Sequence, residues 1–129
     1  MSLVGFDTLR DRHRDQLDAV ERLEQVVERA VTSDLAARLD ELWLSTRTNL
    51  PIALVEMFLV ELCVAGVLEP RAFWNCPNGH GVTDEKNAVS DFPEEIECPC
   101  GELHHRDPAD LEIGFIPSDR LVAYLKQVR

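Results

Sequence analysis

Apolar positions in the first quarter of the chain recur at steps of three and four residues. The stripe consists of Phe6, Leu9, Leu17, Val20, Leu23, Val27 and Val31, with His13 filling one gap. This spacing is that of one face of an α-helix, so it predicts a single amphipathic helix over residues 7–31. Such a stripe either packs on the chain's own core or forms a coiled-coil seam between two copies. A homodimer through residues 6–31 is therefore one of two expectations.

Two further helices are predicted before the middle of the chain. The segment Thr32-Ser33-Asp34 combines a break with residues that cap helix N-termini, and it predicts a helix over residues 34–46. The side chains expected to face inward are Leu35, Leu39, Leu42 and Trp43. A third helix over residues 51–65 starts with Pro51 in its first turn and ends at Gly66. It is apolar nearly all round, which predicts a central helix covered by others.

The pattern changes after the third helix, since all seven Pro and five of the six Gly lie at or beyond position 50. Residues 67–74 are typical of a β-strand, and Pro70 predicts that this strand is bent or lies at a sheet edge. Residues 75–101 are rich in loop formers, with a short strand expected at Ile96 and Cys98. The second half is therefore expected to be looped where the first half is helical.

A further strand and a last helix complete the predicted elements. Residues 111–116 alternate apolar and polar positions, which predicts a strand. The segment Pro117-Ser118-Asp119 then caps an amphipathic helix over residues 119–127. The predicted fold class is α+β, with N-terminal helices, a small region of strands and loops, and a C-terminal helix.

Charge and hydropathy exclude several classes of protein. The 129 residues carry a net charge of −11, which argues against a basic nucleic-acid binder because phosphate contacts come from Lys and Arg. The longest apolar run contains Glu56 and Glu61, and the N-terminus lacks the pattern of a secretory signal. We therefore expect a cytoplasmic protein without a membrane span. Thiols stay reduced there, so four cysteines need a role other than disulfides.

Two short Cys-containing segments have the character of metal-binding turns. They are Cys76-Pro77-Asn78-Gly79-His80 and Cys98-Pro99-Cys100-Gly101. Pro preorganises such a turn and Gly adopts the backbone angles that let two side chains approach one ion. The spacing predicts a tetrahedral Zn²⁺ site of three Cys and one His. The predicted ligands are Cys76, His80, Cys98 and Cys100, with His104 or His105 as an alternative to Cys100.

The predicted zinc is structural, and no enzyme activity is expected. Catalytic zinc keeps one ligand position open, whereas this chain offers four protein ligands. The motifs of zinc proteases and deaminases, and of serine nucleophiles, are absent from the sequence. Cys63 lies in the apolar third helix and is expected to be a core residue.

The run Leu59–Glu69 resembles the helix-to-strand junction of winged-helix domains, in which a helix ends at Gly and a Val-Leu pair begins the first wing strand. With the Cys segments that follow, residues 34–116 resemble a winged helix joined to a zinc ribbon or a zinc-bearing wing. Together with the helices predicted at the two ends of the chain, the resemblance predicts three parts: an N-terminal helix (1–33), a winged-helix-like core (34–74) and a zinc-binding β region with a C-terminal helix (75–129). It also places the third helix at the position that reads DNA, yet this helix has no Lys or Arg.

The function expected from these features is a non-enzymatic, zinc-stabilised protein-interaction module, either an adaptor or a regulatory subunit. Residues 50–129 hold 14 acids and six bases, so a basic protein partner is favoured. The alternative is a winged-helix DNA-binding regulator, supported by Arg10, Arg12, Arg14, Arg22 and Arg29. A zinc-dependent hydrolase is the third hypothesis. Three aromatic residues near the zinc segments either contact the partner or form a small core beside the metal: Phe73, Trp74 and Phe92.

Overall fold

The computed structural model describes residues 3, 5–35, 38–79 and 81–128. The fold is α+β, as predicted, with helices at both ends of the chain and antiparallel strands between them. The helices are α1 (Phe6–Arg12), α2 (Leu17–Ser33), α3 (Glu41–Thr48), α4 (Ile52–Val64) and α5 (Asp119–Val128). The strands are β1 (Leu68–Cys76), β2 (Gly81–Lys86), β3 (Glu95–Glu97), β4 (Leu103–His105) and β5 (Leu111–Pro117).

The prediction of a single helix over residues 7–31 is wrong. The helix is interrupted at His13, and the segment forms two helices, α1 and α2. The backbone of His13 has φ −127° and ψ 54°. Its Nε2 lies 2.5 Å from Oε2 of Glu61 on α4, and its ring packs edge-on against Phe58 at 5.0 Å. These contacts to α4 compensate for the helical hydrogen bonds lost at the break.

The break allows α1 to pack against both α2 and α4. Arg10 on α1 pairs with the buried carboxylate of Glu24 on α2. Six residues of the apolar stripe are buried in the chain's own core: Phe6, Leu9, Val20, Leu23, Val27 and Val31. Leu17 remains half exposed. The stripe thus stabilises the single chain, and dimerisation through residues 6–31 stays a prediction.

The second predicted helix is shorter than expected, and α3 starts at Glu41 rather than at residue 34. Asp34 ends α2 with an extended backbone, and Leu39 pairs with Phe115 of β5 in an antiparallel bridge. Asp40 then caps α3, accepting a hydrogen bond from the Trp43 amide at 3.0 Å. Leu39 is buried as predicted, but Leu44 is the buried apolar side chain of α3, whereas Leu42 and Trp43 are exposed. Residues 36 and 37 lie outside the described part.

The third predicted helix forms as α4, but the expectation that it is covered all round is wrong. One face, made of Val55, Phe58, Leu59 and Leu62, is buried in the core. The opposite side keeps large apolar side chains in solvent: Met57 (40% exposed), Val60 (50%) and Val64 (82%). Ile52, in the first turn, is also exposed. Although α4 is apolar on both faces, only one of these faces is buried.

The strands form a three-stranded sheet in the order β2-β1-β5 and a two-stranded sheet of β3 and β4. Of the two expectations for β1, an edge strand or a bent one, the first is wrong, since β1 is the central strand. Pro70 is tolerated because the ladder with β2 begins at Ala72, and the strand is irregular between Trp74 and Asn75. β2 and β4 were not predicted, because their charged and polar residues lack clear alternation.

Residues cluster into two compact units. The helical unit comprises residues 1–69 and 115–129, and the β unit comprises residues 70–114. Each has its own apolar core among the described residues. The three-part division expected from the sequence instead grouped the C-terminal helix with the zinc region, whereas α5 belongs to the helical unit.

None of the helices in the described ranges combines the length and the apolar character needed to cross a lipid bilayer.

Candidate functional site

Two similar turns present the cysteines of the β unit. In the first turn, Gly79 N donates to Cys76 O at 3.0 Å, and in the second, Gly101 N donates to Cys98 O at 2.9 Å. Both glycines have positive φ, 84° and 94°, which a residue with a Cβ adopts at a cost. Cys76 ends β1 and Cys98 directly follows β3, so the two turns start at strand ends.

Four ligand atoms converge at these turns. The side chains of Cys76, Cys98, Cys100 and His104 place their ligand atoms within 4.8 Å of one another. The Sγ atoms of Cys76 and Cys98 are 3.3 Å apart, and Cys76 Sγ lies 3.8 Å from Nε2 of His104. Ligands of tetrahedral zinc, bound at about 2.3 Å for sulfur, lie roughly 3.8 Å apart. The cluster therefore has the dimensions and donor types of a tetrahedral metal site.

Three of the four sequence-predicted ligands lie within the described residues. Cys76, Cys98 and Cys100 come together as expected. His80 lies outside the described residues. His104, named above as a replacement for Cys100, lies beside it, so all three cysteines and this histidine form the cluster.

The short strand β4 selects between the two neighbouring histidines. His104 pairs with Ile96 of β3 and His105 pairs with Glu95. Successive side chains of a strand point to opposite faces, so only one of the two histidines can share the buried face of Ile96. His104 is half-buried in the cluster, whereas His105 is exposed. Recognition of Leu103–His105 as a strand pairing with β3 was the signal needed to choose His104.

A small core supports the cluster. It contains Ala72, Trp74, Cys76, Phe92, Ile96 and Cys98. The Trp74 ring lies 5.6 Å from the His104 ring, and Arg106 donates to the carbonyl of Phe92 at 2.6 Å. Phe73 is also buried. Of the two roles expected for these aromatics, the structure thus gives Trp74 and Phe92 the core role.

The thiols of the cluster differ in their affinity for protons. Burial is the main cause that raises the pKa of Cys98, while a hydrogen bond from Cys98 is the main cause that lowers the pKa of Cys100. The Glu102 amide and the His104 side chain lower the pKa of Cys100 further. A thiolate is the form that binds a metal, and the surroundings of Cys100 stabilise this form.

Glu102 connects the two turns. Its carbonyl accepts the Cys98 amide at 2.9 Å, and its carboxylate accepts the Asn78 side-chain amide at 2.8 Å. The same carboxylate lies 3.8 Å from Nε2 of His104. Glu102 is therefore placed to hold the turns in register.

The second notable feature is the uncovered side of α4. Ala53, Met57, Val60 and Val64 are exposed on it, and we call these four residues the α4 stripe. Glu56 lies beside the stripe, and Glu41 at the start of α3 is close enough to Glu56 to be affected by its charge. Partial burial, and then the charges of Glu56 and Asp40, raise the pKa of Glu41. An apolar surface with an acidic border is thus present on the helical unit.

Comparison of the chain with protein-family models, with curated proteins and with solved structures finds no match.

Proposed function

We propose that the protein is a non-enzymatic protein-interaction module, an adaptor or regulatory subunit, that a structural zinc ion stabilises. The observation that carries this proposal is the α4 stripe. Folding buries one face of α4 and leaves the opposite apolar face in water, although contiguous exposed apolar surface is unfavourable and typically marks an interface. A protein partner that covers the stripe accounts for this arrangement.

The donor set of the β unit supports a structural role for the metal. Three thiolates and one imidazole are the ligands that zinc prefers, and four protein ligands complete its tetrahedral shell. A closed shell leaves no position for substrate or for an activated water. When bound, the ion would link the turns of Cys76 and Cys98 and would stabilise the small core around Trp74.

Contacts of the helix arginines weigh against the alternative of a DNA-binding regulator. Arg10 pairs with Asp7 and Glu24, Arg12 pairs with Glu61, and Arg22 pairs with Asp18. These carboxylates compete with phosphate for three of the five arginines on which that alternative depends. The protein-interaction module is therefore favoured over the DNA-binding regulator. The capture experiment described next would also detect bound DNA.

Affinity capture from an extract of the native host tests the proposed function. Wild-type protein, a Val60→Glu variant and a Val82→Glu variant are used as bait, and bound protein and nucleic acid are identified. Val60 and Val82 have similar exposures, 50% and 45%, but Val82 lies on β2. We expect a defined protein partner with wild type and Val82→Glu, and its loss with Val60→Glu because a charge cannot be buried there.

Equal capture by all three baits would contradict the proposed use of the α4 stripe. Recovery of DNA in place of protein would favour the winged-helix regulator. Circular dichroism and zinc content are expected to be the same for all three proteins, which shows that any loss is not due to unfolding. Val64→Glu provides a second variant, since Val64 is 82% exposed and contributes little to the core.

A further inference from the structure

The α4 stripe has the spacing of a helix-packing seam. Ala53, Met57, Val60 and Val64 follow one another at steps of four, three and four residues, which is the spacing of alternating a and d positions. At about 1.5 Å per residue the stripe is about 16 Å long, or three turns of a partner helix. The backbone of α4 is already hydrogen-bonded within the helix, so the stripe can bind a partner only through side-chain packing. An apolar helix face is the matching surface.

The positions that flank this seam carry acids and no bases. Glu56 and Glu61 occupy two of the four flanking positions, Leu54 and Cys63 occupy the other two, and residues 51–65 contain no Lys or Arg. Glu61 is already paired with Arg12 and His13. Glu56 and its neighbour Glu41 make no ion pair within the described residues. The border of the stripe thus has unneutralised negative charge on the side of Glu56.

This charge argues against a second copy of the chain as the occupant. Residues at the flanking positions of one helix meet those of the other, whether the two helices run parallel or antiparallel. A homodimer through the stripe would therefore place Glu56 against Glu56 or Glu61 of the other copy. Like charges at an interface cost affinity, whereas a cationic partner would relieve the repulsion around Glu56 and Glu41.

We infer that the α4 stripe binds an amphipathic helix of another protein whose apolar stripe is flanked by Lys or Arg residues. This inference rests on the proposed function and adds the chemistry of the partner. The apolar residues of the partner pack between Met57 and Val64, and its basic residues lie over Glu56. Apolar contact provides most of the affinity, and the charges provide the choice of partner.

Two synthetic helix-forming peptides of about 18 residues test the inference. Both have Leu at the a and d positions, and they differ only in having Lys or Glu at the flanking positions. Fluorescence anisotropy measures their binding to the full zinc-loaded protein. We expect the Lys peptide to bind at least about tenfold more tightly than the Glu peptide. Val60→Glu is expected to lower the affinity for the Lys peptide by about tenfold or more, whereas Val82→Glu is expected to leave this affinity unchanged.

A charge reversal separates specific pairing from general attraction to an acidic protein. Glu56→Lys is expected to reverse the preference toward the Glu peptide. Glu21→Lys makes the same charge change on the exposed side of α2 and is expected to leave the preference intact. Equal effects of the two reversals, or equal binding of the two peptides, would overturn the inference.

Sedimentation of the wild-type protein tests whether a second copy of the chain occupies the α4 stripe. We expect a monomer at micromolar concentration, and a dimer that Val60→Glu dissociates would show that a second copy occupies the stripe. The inference and the proposed function can fail separately. If Val60→Glu loses the captured host protein but the Lys peptide is not preferred, the proposed interaction module is supported. The inference that the partner is a basic helix is then contradicted.

Discussion

At the scale of residues, the cluster of Cys76, Cys98, Cys100 and His104 is held by the backbone before any metal is considered. Two turns with Gly at positive φ aim three sulfurs at one point, and β4 adds the imidazole. Unpaired thiolates in such proximity repel one another, so a cation stabilises the arrangement. Mutation of single histidines tests directly which histidine binds the metal.

Substitution of single histidines identifies the fourth ligand. His104→Ala is expected to weaken zinc binding by more than about 100-fold, because it removes a direct ligand and even indirect partners contribute 10–100-fold. His105→Ala changes the adjacent residue, whose side chain is exposed, and is expected to leave the affinity unchanged. Competition with a chromogenic chelator measures each constant. Loss of affinity in His80→Ala with none in His104→Ala would show that the ligand set expected from the sequence is the right one.

The sequence predicted the three cysteines because Pro and Gly mark the turns around them. It predicted His80 as the histidine ligand and named His104 and His105 only as alternatives to Cys100. His80 is close to Cys76 along the chain, whereas His104 reaches Cys76 only because β3 and β4 pair in a particular register. A one-residue slip of that register would exchange His104 for His105. Register depends on tertiary contacts that a single sequence does not display.

Cys63 should differ from the other thiols in its reactivity. Burial and the nearby Glu69 raise its pKa to about 11, so it is protonated and slow to react at pH 8. After removal of metal the β unit is expected to unfold and expose its thiols, so we expect iodoacetamide to modify the three cluster cysteines first and Cys63 last. Peptide mass spectrometry over a time course resolves the order. Rapid modification of Cys63 in folded protein would contradict its half-buried position against the core of the helical unit.

At the scale of elements, the junction between α1 and α2 depends on one carboxylate of α4. Glu61 receives the His13 ring at 2.5 Å and Arg12 Nε at 3.1 Å. The side chains of His13 and Glu61 are both mostly buried. A half-buried ion and its partners stabilise a fold mainly because removing one of them leaves the others unsatisfied.

Neutralising this carboxylate tests the junction. Glu61→Gln is expected to lower the free energy of unfolding by about 1–3 kcal/mol, since the amide cannot replace the charge that Arg12 and His13 contact. Glu56→Gln, on the exposed side of the same helix, is expected to stay within about 0.5 kcal/mol of wild type. Urea unfolding followed by circular dichroism gives both values. Equal effects would mean that His13 is not anchored through Glu61.

The elements predicted best were those whose pattern is local. The bounds of α4 and α5 agree with the expected ones to within a residue, because Pro51 and Asp119 mark their starts. The break at His13 was missed because His fits the apolar stripe, and only contacts with α4 reveal why the helix stops. Similarly, Leu39 leaves its expected helix to pair with Phe115, which is distant in sequence.

At the scale of the molecule, the chain has two cores of different composition. The helical unit is packed by aliphatic residues and Phe from every helix of that unit, whereas the β unit has a small core in which two residues, Cys76 and Cys98, are also in the metal cluster. A small core lacks the buried area to fold by itself, and a structural metal compensates for this. The β unit should therefore depend on zinc, whereas the helical unit should not.

Chelation of the metal tests this difference. With excess EDTA we expect amides of residues 70–114 to lose protection against hydrogen exchange, while amides of α2 and α4 keep theirs. Cys98→Ser should give the same pattern without chelator, and Cys63→Ser should not. Hydrogen exchange with mass spectrometry locates the change. Uniform loss of protection across both units would show that they unfold together.

Native mass spectrometry of the wild-type protein, prepared without added chelator, measures its zinc content directly. We expect the folded chain to hold one zinc ion and Cys98→Ser to lose it, because Cys76, Cys98, Cys100 and His104 together offer four ligands to one ion. A folded wild-type protein with a zinc content near zero would contradict the central claim that a structural zinc ion stabilises the module.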